Sequence, residues 1–290
     1  MRAEAENVLI VSMRRSGGKL MRNLLDGHSQ VRSLPMEHWH APRKATFPAE
    51  ALARYRELTA TERVAIFHRR TPEKIERLHG PESSSEFMQF VTRDAEETET
   101  APDLYQRFVE RYFAHFHNQS EGRAVNHCGN LALLSPDELD RMFGPSLKII
   151  IWRDPRAAYV SSRELAKKKT GRVFGNEEVA HFCKQYRLAF SNHGEGAGHH
   201  HISISFEQLL EAPVVILQQL ADALNIEFRQ ILTIPTLYGK PHFANTSFER
   251  QSGVVDRTAS NDWSSRITAQ ERLAIERALG DVMLKLNYSV

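Results

Sequence analysis

A chain of 290 residues, 41% hydrophobic and 26% charged, can bury a sizeable core as one large domain or two small ones. A net charge of +2 gives no basis for nucleic-acid binding through bulk electrostatics, and no apolar run approaches membrane length. The two cysteines, Cys128 and Cys183, lack metal spacing and suit a reducing compartment. The first expected strand begins by Val8 and leaves no room for a signal peptide, so the expected location is cytoplasmic.

Residues 8–11 form an apolar run of strand length, and Leu20, Met21, Leu24 and Leu25 then recur at helical spacing. Strand, tight turn, helix is the predicted order. The turn, Arg14-Arg15-Ser16-Gly17-Gly18-Lys19, joins three cations to two adjacent glycines. Glycines let main-chain N–H groups approach a ligand closely, and a helix N-terminus adds unpaired donors and a positive dipole end. Such a turn suits an anion, above all a nucleotide phosphate. Only half of the Walker pattern is matched: Met13 stands where its first glycine belongs, and Leu20 replaces the hydroxyl that would hold magnesium. The turn resembles instead the 5′-phosphosulfate loop of sulfotransferases that use 3′-phosphoadenosine-5′-phosphosulfate (PAPS), commonly R-S-G-T-T or, in heparan-type members, R-K-G-G-T-R. Arg15-Ser16-Gly17 fits the first form, and residues 14–19 fit the second nearly position by position. The resemblance implies that Arg14, Arg15, Ser16, Gly17, Gly18, Lys19 and Leu20 surround the 5′-phosphate, with Lys19 supplying charge where the family has a hydroxyl.

After the first helix come Gly27-His28-Ser29-Gln30-Val31 and then Pro35-Met36-Glu37-His38-Trp39-His40. This is similar to the family's H-P-x-V followed by a glutamate, which implies Glu37 as the base that takes the acceptor's hydroxyl proton. His38 and His40 are alternatives, because other branches use a histidine. Residues 50–70 read as helical, with Arg69 and Arg70 a solvated pair. Residues 103–117 read as an amphipathic helix capped by Asp103. Between them, residues 81–102 are rich in Ser, Thr, Glu and Asp and are expected to form an exposed loop or lid that chooses the acceptor. One domain over residues 1–290 is expected, with a mostly helical acceptor-side insertion at about 41–122.

His127 ends a short segment that corresponds in the family to one bearing a lysine or histidine near the acceptor, so it is carried over as a catalytic candidate. Ser135 is a plausible cap for the helix that follows. Residues 147–152 have the apolar continuity of a strand buried on both faces, and Arg153-Asp154-Pro155-Arg156 follows. Asp154 as cap and Pro155 at the first helical position should start the next helix. The resemblance extends here to the 3′-phosphate motif, R-D-P-R with a serine eight residues beyond its first arginine, and implies Arg153 and Ser161 as its ligands. Eight residues exceed two helical turns, which suggests an irregular first turn. Lys167, Lys168 and Lys169 suit a helix C-terminus. His199, His200 and His201 read as a solvated loop rather than a metal site. Phe206-Glu207-Gln208-Leu209 is similar to the family's Y-E-D-L segment. Pro213 should open a helix with Val214, Leu217, Leu220, Ala221 and Leu224 inward. Arg257 is the candidate in a late loop that the resemblance folds over the nucleotide, and Thr268-Ala269-Gln270-Glu271 is a capping box.

Strands separated by helical segments predict an α/β fold of three layers, a mostly parallel sheet with helices on both faces. The resemblance implies sulfuryl transfer from PAPS to a hydroxyl acceptor, a carbohydrate or glycolipid, with no metal required. Arg15 with Lys19 would neutralise the leaving 5′-phosphate, and Arg153 with Ser161 would select the 3′-phosphorylated nucleotide over ATP. An ATP-dependent P-loop kinase and a catalytically inactive nucleotide-binding protein are the alternatives.

Overall fold

The computed structural model describes residues 7–35, 54–68, 71–117, 121–127, 130–194, 201–242, 253–255 and 263–290. Its centre is β1 (Asn7–Ser12), every residue of which is buried. A strand covered on both faces must be apolar in both alternating sets, and β1 meets that condition. Val8 and Ile10 enter the core on one side of the sheet, and Leu9 and Val11 enter the core on the other. The strand β4 (Ser146–Trp152) repeats the arrangement, with Ile149 and Ile151 opposed to Ile150 and Trp152.

The remaining strands of this sheet are β2 (Val31–Ser33), β3 (Arg123–His127) and β5 (His201–Ser205). Among the described residues they give a five-stranded sheet in the order β2-β3-β1-β4-β5, parallel at every pairing. The helices α1 (Gly18–Leu25), α9 (Phe206–Glu211) and α10 (Pro213–Ala223) pack on one face. The other face carries α5 (Ala101–His117), α6 (Pro136–Phe143), α7 (Pro155–Thr170), α8 (Asn176–His193) and α11 (Ala269–Lys285). The three-layer α/β architecture expected from the sequence is the one observed. The insertion between β2 and β3 adds α2 (Ala60–His68), α3 (Thr71–His79) and α4 (Pro81–Glu97) before α5. A two-residue antiparallel ladder, β6 (Thr236–Leu237) with β7 (Lys240–Pro241), lies against α1.

From β1 the chain moves to one side of the sheet for β2 and β3, and then to the other side for β4 and β5. The carboxyl ends of β1 and β4 are therefore neighbours, in register at Ser12 and Ile151, and the loops that leave them emerge side by side. A crevice at such a change of direction is where open α/β sheets place their ligands.

Several sequence expectations are corrected. Residues 81–97 are helical, not an exposed lid: Pro81 occupies the first turn, and Phe87, Val91 and Ala95, four apart, are fully buried. The polar composition there belongs to the outward face. Asp103 lies inside α5, and Thr100 before it is the capping residue, its hydroxyl accepting from Asp103 N at 3.3 Å and donating to Asp103 Oδ2 at 2.6 Å. Within residues 50–70 a short 3₁₀ turn, Tyr55–Glu57, precedes α2. Val214 is half exposed at the start of α10, whereas Leu217, Leu220, Ala221 and Leu224 are buried as expected. The caps Ser135, Asp154 and Thr268 are all present.

Candidate active site at the ends of β1 and β4

The turn from β1 into α1 is closed by Ser16 N donating to Met13 O at 3.2 Å, while Arg14 N donates to Asn130 Oδ1 at 3.1 Å. Arg15 takes a positive φ of 69°, a conformation that a residue with a side chain holds only when its surroundings demand it. Gly17 has φ 101°, and a Cβ there would lie 2.3 Å from the Phe206 ring. A Cβ on Gly18 would lie 2.2 Å from His127 Nε2 and 2.4 Å from Ser12 Oγ. Both glycines are thus demanded by close packing beneath the turn. Met21 N makes the first bond inside α1, to Gly17 O, so the amides of Gly18, Lys19 and Leu20 lie at the helix N-terminus, where helical geometry supplies no acceptor. No side chain caps that end and no acid occupies its first turn. The Ser16 hydroxyl is buried with no hydrogen-bond partner, an orphan donor beside these amides. The Leu20 side chain is packed into the hydrophobic core, so only its main chain can face a ligand.

Arg153 reaches this turn directly. Its Nη1 donates to Arg15 O at 2.8 Å, and its guanidinium lies 4.6 Å from the centroid of the Phe206 ring. Arg15 Nε in turn donates to Ser161 Oγ at 2.9 Å. Two basic turns 138 residues apart are therefore joined at one crevice. No irregular turn is needed to bring Ser161 there, because α7 starts regularly, with Ala158 N bonded to Asp154 O, and the serine meets Arg15 instead of Arg153. Asp154 accepts from Arg156 N at 2.8 Å and pairs with the Arg156 side chain, which also reaches Glu276 of α11 at 2.7 Å.

His127, a few per cent exposed, lies under the loop, its Nε2 3.4 Å from Ser12 Oγ and against Gly18. Arg22, unremarked in the sequence, is buried on α1 and donates to Pro35 O at 2.6 Å and to Asn23 Oδ1 at 2.7 Å. It ties the exit of β2 to α1. Its signal was a cation on the apolar face that Met21 and Leu25 define. Burial, with the positive charges of Lys19 and Arg22, holds His242 below its usual pKa. Phe206 was legible as an aromatic in the family segment, but its place between Gly17 and Arg153 was not. Glu37, His38, His40 and Arg257 lie outside the described residues, as do Arg69, Arg70, Cys128, His199 and His200. Among the described residues there is no group of three metal-ligating side chains, and no helix is long and apolar enough to cross a membrane.

A sulfotransferase domain of the Synechococcus PCC 7002 olefin synthase is similar over 98% of this chain and 95% of its own, with a TM-score of 0.62 and 19% identity. A sulfotransferase domain from the curacin biosynthetic pathway is similar over 98% of both chains, with a TM-score of 0.59 and 18% identity. Sulfotransferase STF9 from Mycobacterium avium has a TM-score of 0.51 and 12% identity, over 99% of this chain and 78% of its own. These likenesses concern the fold. A search among curated proteins finds no match. The model of the sulfotransferase family matches residues 7–230, which include both basic turns and the strands that hold them, and the chain belongs to that family.

Proposed function

We propose that this protein transfers a sulfuryl group from PAPS to a hydroxyl acceptor, with a carbohydrate or glycolipid hydroxyl as the acceptor class. The observation that carries the donor assignment is the contact chain from Arg153 through Arg15 to Ser161, which gathers charge and hydroxyl donors from two distant turns at one crevice. The amides at the start of α1, the orphan Ser16 hydroxyl, Arg14, Arg15 and Lys19 are the donor set for the 5′-phosphate side. Arg153 and Ser161 are the set for the 3′-phosphate, with Arg257 as a further nucleotide ligand.

When bound, PAPS supplies an activated sulfuryl group and departs as adenosine 3′,5′-bisphosphate. Glu37 takes the proton from the acceptor hydroxyl as that oxygen bonds to sulfur. Arg15 and Lys19 stabilise the charge that passes to the 5′-phosphate oxygen as its bond to sulfur breaks. The burial of His127 between Ser12 and Gly18 supports a role in holding the loop over one at the acceptor. Leu20, buried where a Walker loop has its magnesium-binding hydroxyl, favours this reading over an ATP-dependent kinase.

Calorimetry with adenosine 3′,5′-bisphosphate, ATP and AMP, with and without magnesium, tests the donor assignment. The bisphosphate should bind most tightly, without magnesium, and Arg153→Ala should weaken it by at least about tenfold. Preferential, magnesium-dependent binding of ATP would replace sulfuryl with phosphoryl transfer. Transfer of radiolabelled sulfate from PAPS to a panel of hydroxyl acceptors tests the reaction. Glu37→Ala should abolish it with bisphosphate affinity unchanged, whereas undiminished transfer would remove Glu37 from the mechanism.

A further inference from the structure

The peptide group between Arg153 and Asp154 stands at a strand-to-helix junction, where neither the sheet ladder nor the helix supplies its partners. Both of its polar ends are nevertheless held. The Arg153 carbonyl accepts from the hydroxyl of Tyr186, a fully buried residue of α8, at 2.7 Å. The Asp154 N–H donates to Glu207 Oε1 of α9 at 3.1 Å. The other carboxylate oxygen, Glu207 Oε2, accepts from Ser205 Oγ at 3.1 Å and from the hydroxyl of Tyr288, which follows α11, at 2.8 Å.

Tyr288 is brought there by a reversal of the chain after α11. Asn287 adopts a left-handed φ of 61°, and Tyr288 N donates back to Met283 O at 2.8 Å. The half-buried ring then packs against the main core, and its hydroxyl is held by the carboxylate. The orientation of a peptide plane sets the backbone dihedrals on either side of it and hence the direction of the adjoining side chain. We propose that Glu207 and Tyr288 are positioning residues, a latch formed by the C-terminal tail that fixes this peptide plane and so aims the Arg153 guanidinium at the 3′-phosphate. The inference rests on the reading of Arg153 as a nucleotide ligand given above.

Calorimetry with adenosine 3′,5′-bisphosphate and adenosine 5′-phosphate separates the two, because only the first carries the 3′-phosphate. The wild type should prefer the bisphosphate. Tyr288→Phe and Glu207→Ala should lower bisphosphate affinity about three- to tenfold while changing the 5′-phosphate less than about twofold. Glu207→Gln, whose amide oxygen can still accept from Asp154, should keep most of the preference. In an Arg153→Ala background the latch substitutions should have no further effect on the bisphosphate. Tyr288→Phe retains the half-buried ring, and a thermal melt verifies that it folds. Equal losses for both nucleotides, or an unchanged preference in Tyr288→Phe and Glu207→Ala, overturn the latch alone. A wild type that binds both nucleotides alike overturns the nucleotide reading and the latch with it.

Discussion

Gly18 has no room for even one methyl group, and the atoms that deny it are those of the His127 ring and the Ser12 hydroxyl. Gly18→Ala should therefore cost about 1–3 kcal/mol of stability, as overpacking does in a tight interior, and should weaken bisphosphate binding because the loop must shift. Adding His127→Ala removes the ring that clashes, so the double variant should regain part of the loss. Urea unfolding of the two single variants and the double supplies the coupling energy. Strict additivity would mean that His127 and Gly18 do not hold one another in place. Part of this site was legible residue by residue: Arg15, Arg153 and Ser161 stand in motifs whose chemistry demands guanidinium and hydroxyl groups. Phe206, Arg22 and Ser12 were not, because their importance comes from what they touch across the fold. A buried arginine on an apolar helix face is a departure from pattern that a sequence shows, but the Pro35 carbonyl it satisfies is not.

At the scale of elements, α4 shows why composition misled. Ser, Thr, Glu and Asp suggest solvent exposure, yet Phe87, Val91 and Ala95 recur every four residues and all are buried. Asp94, on the same buried side, is held by Arg111 of α5 in a two-point contact, with Arg107 at 3.8 Å. Its side chain is 2% exposed while that of Arg111 is 35% exposed, so the pair is only partly screened by water. Asp94→Ala leaves the guanidinium facing an apolar gap and should destabilise the protein by about 1–3 kcal/mol, less than the loss of a fully buried pair. Chemical denaturation measures it, and a change under about 0.5 kcal/mol would show that α4 is held by its apolar face alone. The strands β1 and β4, by contrast, were read correctly from local patterns, because burial on both faces leaves a continuous apolar run, whereas β2, β6 and β7 are too short to carry one.

Across the whole molecule, the sheet order brings the two basic turns together, and buried ionisable groups far from them set how the assembly responds to acid. His193 is buried on α8, its Nε2 donating to Leu134 O at 2.7 Å, and burial lowers its pKa to about 4. Burial, with the nearby His117 and His115, lowers His79 to about 4 as well. A histidine depressed in this way is protonated first in the unfolded chain, so stability present above 6.5, its ordinary value, is lost as pH falls toward 4. The last helix acts in a lower window. Burial alone would raise the carboxyls of Glu271 and Glu276, but donors from Thr268, Arg163 and Tyr159 on the first, and from Arg272 and Arg156 on the second, hold both below the ordinary 4.5. Their contribution is present above 4.5 and disappears as pH falls through the lower folded values. Urea midpoints measured from pH 7.5 to 3 should therefore fall in two stages. His193→Gln and His79→Gln should each flatten the upper stage in part, while Glu271→Gln, which can keep the cap of α11, should flatten only the lower one. Because Arg156 joins Glu276 to the helix that follows Arg153, the lower stage should also loosen the nucleotide crevice, and bisphosphate affinity should fall with it. Slopes unchanged by all three substitutions would place the acid sensitivity of this protein in other groups.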